Sequence, residues 1–340
     1  MRLRLLSFSR TVLTVPGQRG ITRRTVRELR TRGMTCTGPR YVVWSSEGSV
    51  AYLSARPWTP GAVVVEPCVS GAEGGSVFQL AEEAYLSLLL GARAVARLLC
   101  ERLGVHRCAL VSRPQTHRPP QVQVLPLHGL DAEWRPHVAA DEEFNHTDPG
   151  YCTSKNAPRW SEERLTELQA RIRALLPDPH VPPDFTFRGE DPAHPGLFAR
   201  IVRGEELQWR VWEDPGHVAF LTPFPNSPGL TVVVPRRPLP SDIFSLDEQD
   251  YVSLVLAARG VALLLLRSLG ASAVGMIFEG FEIDYAHVKL MPLFSCSSTG
   301  GQDGVRAASF YSTYPGFVSS EDGPEAGAHS LKELHARLTL

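Results

Sequence analysis

The residues YLSLLLGARAVARLLCERLG, starting at Tyr85, return as YVSLVLAARGVALLLLRSLG at Tyr251, 166 residues later and without a gap. The same offset carries QVQVLPL at Gln121 onto HVKLMPL at His287, and FNHTDPGYCTS at Phe144 onto FYSTYPGFVSS at Phe310. It also carries ELQAR at Glu167 onto ELHAR at Glu333. Upstream, VWSSEGSVAYL at Val43 lies over VWEDPGHVAFL at Val211, and PGAVVVEP at Pro60 over PGLTVVVP at Pro228, at an offset of 168. The first segment therefore holds two extra residues, near SGAEGG. A match kept in register over so many segments reads as a duplication, which predicts two units of one architecture.

Each unit has the same expected order. In the second, the strand HVAFL is followed by a Pro/Gly turn and the β-branched run LTVVVP, whose apolar continuity implies cover on both faces. Ser245 with Glu248 fits a capping box. Tyr251, Leu254, Val255, Ala258, Val261, Ala262 and Leu265 then follow helical spacing, and Gly270 stops the helix. The strands AVGMIF and IDYAHVKLMP follow, and a polar helix ends each unit. The expected fold class is α+β, an antiparallel sheet with one long helix per unit. The expected divisions are a basic leader over 1–40, one unit over 41–176, a Pro- and Asp-rich linker over 177–196, and a second unit over 197–340.

Net charge is −1, so no overall basic field points to nucleic acid, and apolar runs such as VALLLL are too short to span a bilayer. None of the six cysteines forms a CxxC pair, and His106, His117 and His128 have no partner at metal-ligand spacing. The cysteines read as reduced, partly buried thiols, and no metal or cofactor is implied. Before Met34, the leader is rich in Arg, Ser and Thr, with Glu28 its only acid. That composition reads as a mitochondrial transit peptide, with a cytoplasmic or nuclear address as the alternative.

From LFARIVRGEELQWRVWEDPGHVAFL through PNSPGLTVVVPRRPLPSDIFSLDEQD to EGFEIDYAHVKLMPL, the second unit resembles the histidine triad (HIT) superfamily of nucleotidyl hydrolases and transferases. The tail YPGFVSSEDGP is similar to the ending of bacterial-type members, and the first unit resembles the family more faintly. The resemblance implies an intramolecular pseudo-dimer, a chain that is monomeric, and a nucleotide or nucleoside phosphoramidate as partner. It also implies His287 as the catalytic nucleophile. The flanking histidines of the family strand are replaced by Tyr285 and Lys289, and the first unit has Pro119, Gln121 and Gln123 at these places. One site per chain is the most this allows. Thr222, with Ser54 in the first unit, stands where members often carry a ribose-binding aspartate.

Strand alternation puts Tyr285, His287 and Lys289 on one face, lining a groove, and Ala286, Val288 and Leu290 on the other. A neutral imidazole can attack phosphorus and form a nucleotidyl intermediate. Lys289, about 6 to 7 Å along the strand, disfavours imidazolium and can meet phosphate charge. Tyr285 can donate a hydrogen bond to a leaving oxygen, but its reference pKa of about 10 makes it a poor acid. Phe220, Thr222 and Glu279 complete the nucleotide- and phosphate-binding candidates. Phe220, Phe224 and Phe281 read more readily as core than as base-stacking platforms, Glu279 as a cap or pocket wall, and Gly280 as a backbone requirement. Arg236 and Arg237 read as a solvated pair or as phosphate contacts, and His217 as an exposed turn residue. Three readings stand: a nucleotidyl hydrolase or transferase, a non-catalytic nucleotide-binding pseudoenzyme, and a structural interaction module.

Overall fold

Among the described residues, β-branched and apolar runs bounded by Gly/Pro turns become ten strands of one antiparallel sheet. The computed structural model describes residues 40–68, 75–115, 118–295 and 308–340. The expected leader lies, apart from Arg40, outside the described residues. In the first half, β1 (Val42–Ser45), β2 (Ser49–Leu53), β3 (Val63–Pro67), β4 (Cys108–Ser112) and β5 (Val122–Pro126) accompany the long helix α1 (Glu82–Leu103). After α2 (Glu162–Arg173) and the short α3 (Leu197–Arg203) come β6 (Trp209–Glu213), β7 (His217–Leu221) and β8 (Thr231–Pro235). The helix α4 (Glu248–Leu269), β9 (Ala273–Phe278), β10 (Val288–Leu293) and α5 (Ala328–Thr339) complete the order.

The sheet order is β1-β2-β3-β5-β4-β9-β10-β8-β7-β6, which repeats one pattern inward from each edge. At its centre Val111 pairs with Ile277, the same position in the two sequence segments. The helices repeat this reciprocity. Tyr85 Oη donates to the Val255 carbonyl at 2.8 Å, and Tyr251 Oη to the Leu89 carbonyl at 2.7 Å. Each half's terminal helix lies on the other half. From α2, Arg171 donates to the last carbonyls of α4, at Ser268 and Leu269. From α5, Arg337 donates to Arg102 and Leu103 at the end of α1. Those carbonyls have no partner inside their own helix, so a basic side chain meets them well.

Both long helices end at a left-handed glycine, Gly104 and Gly270. The expected capping box is not what starts α4. Asp247 is the N-cap and accepts from the Asp250 amide at 2.8 Å, while Ser245 Oγ turns back to the Asp242 carbonyl. By length and composition alone α4 is apolar enough to cross a membrane, contrary to the reading of short apolar runs, but 56% of its most apolar window is buried in the protein. It packs on β8 and β10 through the largest core cluster.

Two polar expectations change. Arg236 is 1% exposed, not solvated. Its guanidinium donates to the Asp214 and Asp184 carbonyls and to Glu213, and Arg210 beside it donates to the Ile201 and Val202 carbonyls that end α3. The linker is therefore stapled to the outer strands. Arg237 is exposed and pairs with Asp250. His217 is 4% exposed rather than open, because Asp214 folds back onto its ring and backbone amide. Cys100, Cys108 and Cys152 stand as free thiols.

Candidate functional site

β10 starts at Val288, so Tyr285 to His287 lie just before it, held by the Ala286 amide donating to the Leu239 carbonyl at 2.8 Å. Alternation holds through these residues. Ala286, Val288 and Leu290 join the core beneath the helices, and Tyr285 joins an apolar cluster on the opposite face. The turn before it needs Gly280, at φ 83, where a Cβ would lie 2.7 Å from the Ser241 carbonyl oxygen.

His287 is 5% exposed. Its Nδ1 lies 2.7 Å from the Tyr285 carbonyl oxygen. A carbonyl only accepts, so Nδ1 carries the proton and Nε2 keeps the lone pair. The Phe198 ring of α3 meets the imidazole edge to face at 5.3 Å. Burial, and then the charge of Lys289, push the His287 pKa down to about 4, against the opposing pull of the Tyr285 carbonyl and Glu282. Burial, more than the Lys289 charge expected to do so, favours the neutral imidazole at neutral pH.

Lys289 already has protein partners. Its Nζ donates to Glu282 at 2.9 Å and to the Ser154 carbonyl at 3.2 Å. Burial pushes the Glu282 carboxyl up, but Lys289 and the Asn156 amide, 3.1 Å away, outweigh it and hold the pKa below the ordinary value. Glu279 goes the other way. Burial lifts its carboxyl above the usual range despite Lys289 and despite the Tyr314 hydroxyl, which donates to it at 2.6 Å. Glu279 is thus a wall of this cluster rather than a helix cap.

Tyr285 is a correction. Its hydroxyl is buried and donates to the Pro235 carbonyl at 2.8 Å, which leaves it no proton for a leaving group. Phe220 is buried behind Phe198, 5.7 Å away, and belongs to the apolar backing of the site. Phe281 is core as well, while Phe224 is exposed. Thr222 lies outside the cluster. Phe220 is level with Lys289 across β8, and Thr222 is two residues further on, about 7 Å beyond. Its hydroxyl accepts from the Phe224 amide and closes the turn.

The expected open groove is closed here. Ser154 and Asn156, from the loops after β5, and Tyr314, from the C-terminal tail, lie over the strand. None of these, nor Glu282 or Phe198, stood out in the sequence. The glutamates of EGFEID, Glu279 and Glu282, precede the motif within ten residues, and that nearness was the one available signal. Two cavities, of about 270 and 550 Å³, are lined by other residues, not by His287 or Lys289. Among the described residues no group of three or more His, Cys, Asp or Glu is placed to hold a metal ion.

No family model matches the chain. A 13.1 kDa HIT-like protein of Mesomycoplasma hyorhinis is 28% identical over 103 residues, which is 29% of this chain and 92% of that protein. A HIT-like protein of Saccharolobus solfataricus is 27% identical over 104 residues, 29% of this chain and 74% of its own length. Among solved structures, a HIT-like protein from Bartonella henselae covers 43% of this chain and 94% of its own, at 18% identity and a TM-score of 0.27. A uridylyltransferase covers 96% of this chain and 95% of its own, at 12% identity and a TM-score of 0.45. The resemblance is therefore shown: the chain is similar to HIT-like proteins.

Proposed function

We propose that the chain is a HIT-like nucleotide-binding protein whose second half transfers a nucleotidyl group through His287. The observation that carries this reading is the imidazole itself, neutral, with Nδ1 committed to the Tyr285 carbonyl and the Nε2 lone pair uncommitted. In the proposed reaction Nε2 bonds to the α-phosphorus, and the bond from phosphorus to the leaving oxygen or nitrogen breaks. The leaving group takes up a proton, for which the carboxyl of Glu279 is the candidate source because burial favours its protonated form. Water then attacks phosphorus, gives its proton back to the Glu279 carboxylate, and the Nε2–phosphorus bond breaks to release the nucleotide and the neutral imidazole. Lys289 has three protons and spends two on Glu282 and Ser154, so one remains for a phosphate oxygen.

The repeated strand order and the reciprocal Tyr85 and Tyr251 bonds support reading 41–176 and 197–340 as two units of one intramolecular pseudo-dimer, joined by 177–196. A second reading, a nucleotide-binding pseudoenzyme, is favoured by the burial of His287 and the spent Tyr285 hydroxyl. One experiment separates the two. The protein is mixed with an adenosine phosphoramidate and with a dinucleoside polyphosphate, then followed by intact mass and by released AMP. Catalysis predicts an adduct or turnover that vanishes in His287→Ala. Binding without either, in both proteins, leaves the pseudoenzyme.

A further inference from the structure

We propose that the first half holds a second, separate site, for a small planar aromatic molecule without an acidic group. It is the cavity of about 270 Å³ lined by Leu53, Pro60, Ala62, Phe310, Ala326 and Leu334, among others. The matching place in the second half shows what such a cavity accepts. The two places share their backbone framework. The Ala326 amide donates to the Ala55 carbonyl at 2.8 Å, as the Trp160 amide donates to the Pro223 carbonyl at 2.9 Å. The Tyr311 amide donates to the Trp58 carbonyl, as the Asn145 amide donates to the Asn226 carbonyl. The apolar walls are kept too, with Phe310 and Leu334 standing where the other half has Phe144 and Leu168.

The plug is what differs. On the second half's strands the Trp160 indole, from the first half's exchanged segment, packs on the core, with Phe144 at 5.7 Å and the Arg164 guanidinium over its ring at 3.8 Å. On the first half's strands the matching residues, from the second half's exchanged segment, are Ala326 and Ser330, so both the indole and the cation above it are gone. Phe310 is left 46% exposed. Deleting a large side chain inside a fixed frame leaves a cavity rather than a collapse. Enclosed apolar cavities of about 150 Å³ take up benzene, and this one, open to solvent beside Phe310, has about 270 Å³ of space. Shape follows from the deleted indole, and stacking from Phe310. Glu325 and Ser54 on the lining can accept from an N–H, while the Glu325 carboxylate disfavours an acidic ligand.

Indole is the probe, titrated into the full chain by thermal shift, with stoichiometry from equilibrium dialysis. The site predicts saturable uptake of one indole per chain and a rising Tm. Ala326→Trp should raise Tm without ligand and abolish the saturable uptake. Trp160→Ala should open the matching cavity and raise the stoichiometry to two. Phe310→Ala, at a ring 46% exposed, should weaken uptake about tenfold through lost stacking, and it decides the matter if Ala326→Trp fails to fold. No saturable uptake by the unmodified chain, or uptake unchanged in both Ala326→Trp and Phe310→Ala, overturns the proposal.

Discussion

His287 and Lys289 show how one side chain's surroundings set its chemistry. The His287 pKa of about 4 lies below the unfolded value of about 6.5. Between those values the unfolded chain binds a proton that the fold refuses. Stability is therefore greatest above about pH 6.5 and falls as pH drops toward about 4, by about 3 kcal/mol in all. His287→Gln should flatten that acid slope in urea unfolding at a series of pH values. Glutamine is what stands at the matching position, Gln121, where it is also buried. Lys289→Met should leave Glu282 with a partly buried, unpaired charge. Because that carboxylate is 34% exposed, a loss of about 2 kcal/mol is expected rather than the full cost of a buried ion. Adding Glu282→Gln should recover most of it in the same denaturation assay.

At the scale of elements, α4 was legible from its 3.6-residue period and its closing Gly270, but its first residue was not. Ser245 with Glu248 and Asp247 with Asp250 both fit a capping pattern. What decides between them is the backbone. Asp247 takes the extended φ and ψ of −61 and 163, which aim its carboxylate at the Asp250 amide. Asp247→Ala should therefore cost about 1 kcal/mol in thermal or chemical unfolding, against a few tenths for Ser245→Ala. Strand β10 was legible in face but not in extent. Its approach, Tyr285 to His287, is held by a backbone bond to Leu239, a residue that strand periodicity does not mention.

At the scale of the whole molecule, the halves exchange their last helices across one continuous sheet. The linker adds little that the sheet centre, α2 on β6 and α5 on β1 do not already supply. A protease site inserted between Val181 and Pro182, in an exposed stretch, should be cut without releasing either half. The two fragments should co-elute on gel filtration and part only in denaturant. Elution as two separate species would show that the linker, not the exchanged helices, holds the chain together.

Periodicity is a short-range property, and it was enough for the long helices and most strands, while a linear match gave the repeat and the resemblance to HIT proteins singled out His287. All of these depend on neighbours within about two helical turns or on a linear match. Tertiary structure alone decided who meets whom. Lys289 finds Ser154 from 135 residues away, Tyr285 spends its hydroxyl on Pro235, 50 residues upstream, and Arg236 is buried by Asp184 and Glu213. Each of these partners is set by strand register and by how the chain crosses the sheet. A buried polar group takes whatever partner that packing brings, because leaving it unpaired costs more than any local preference can return.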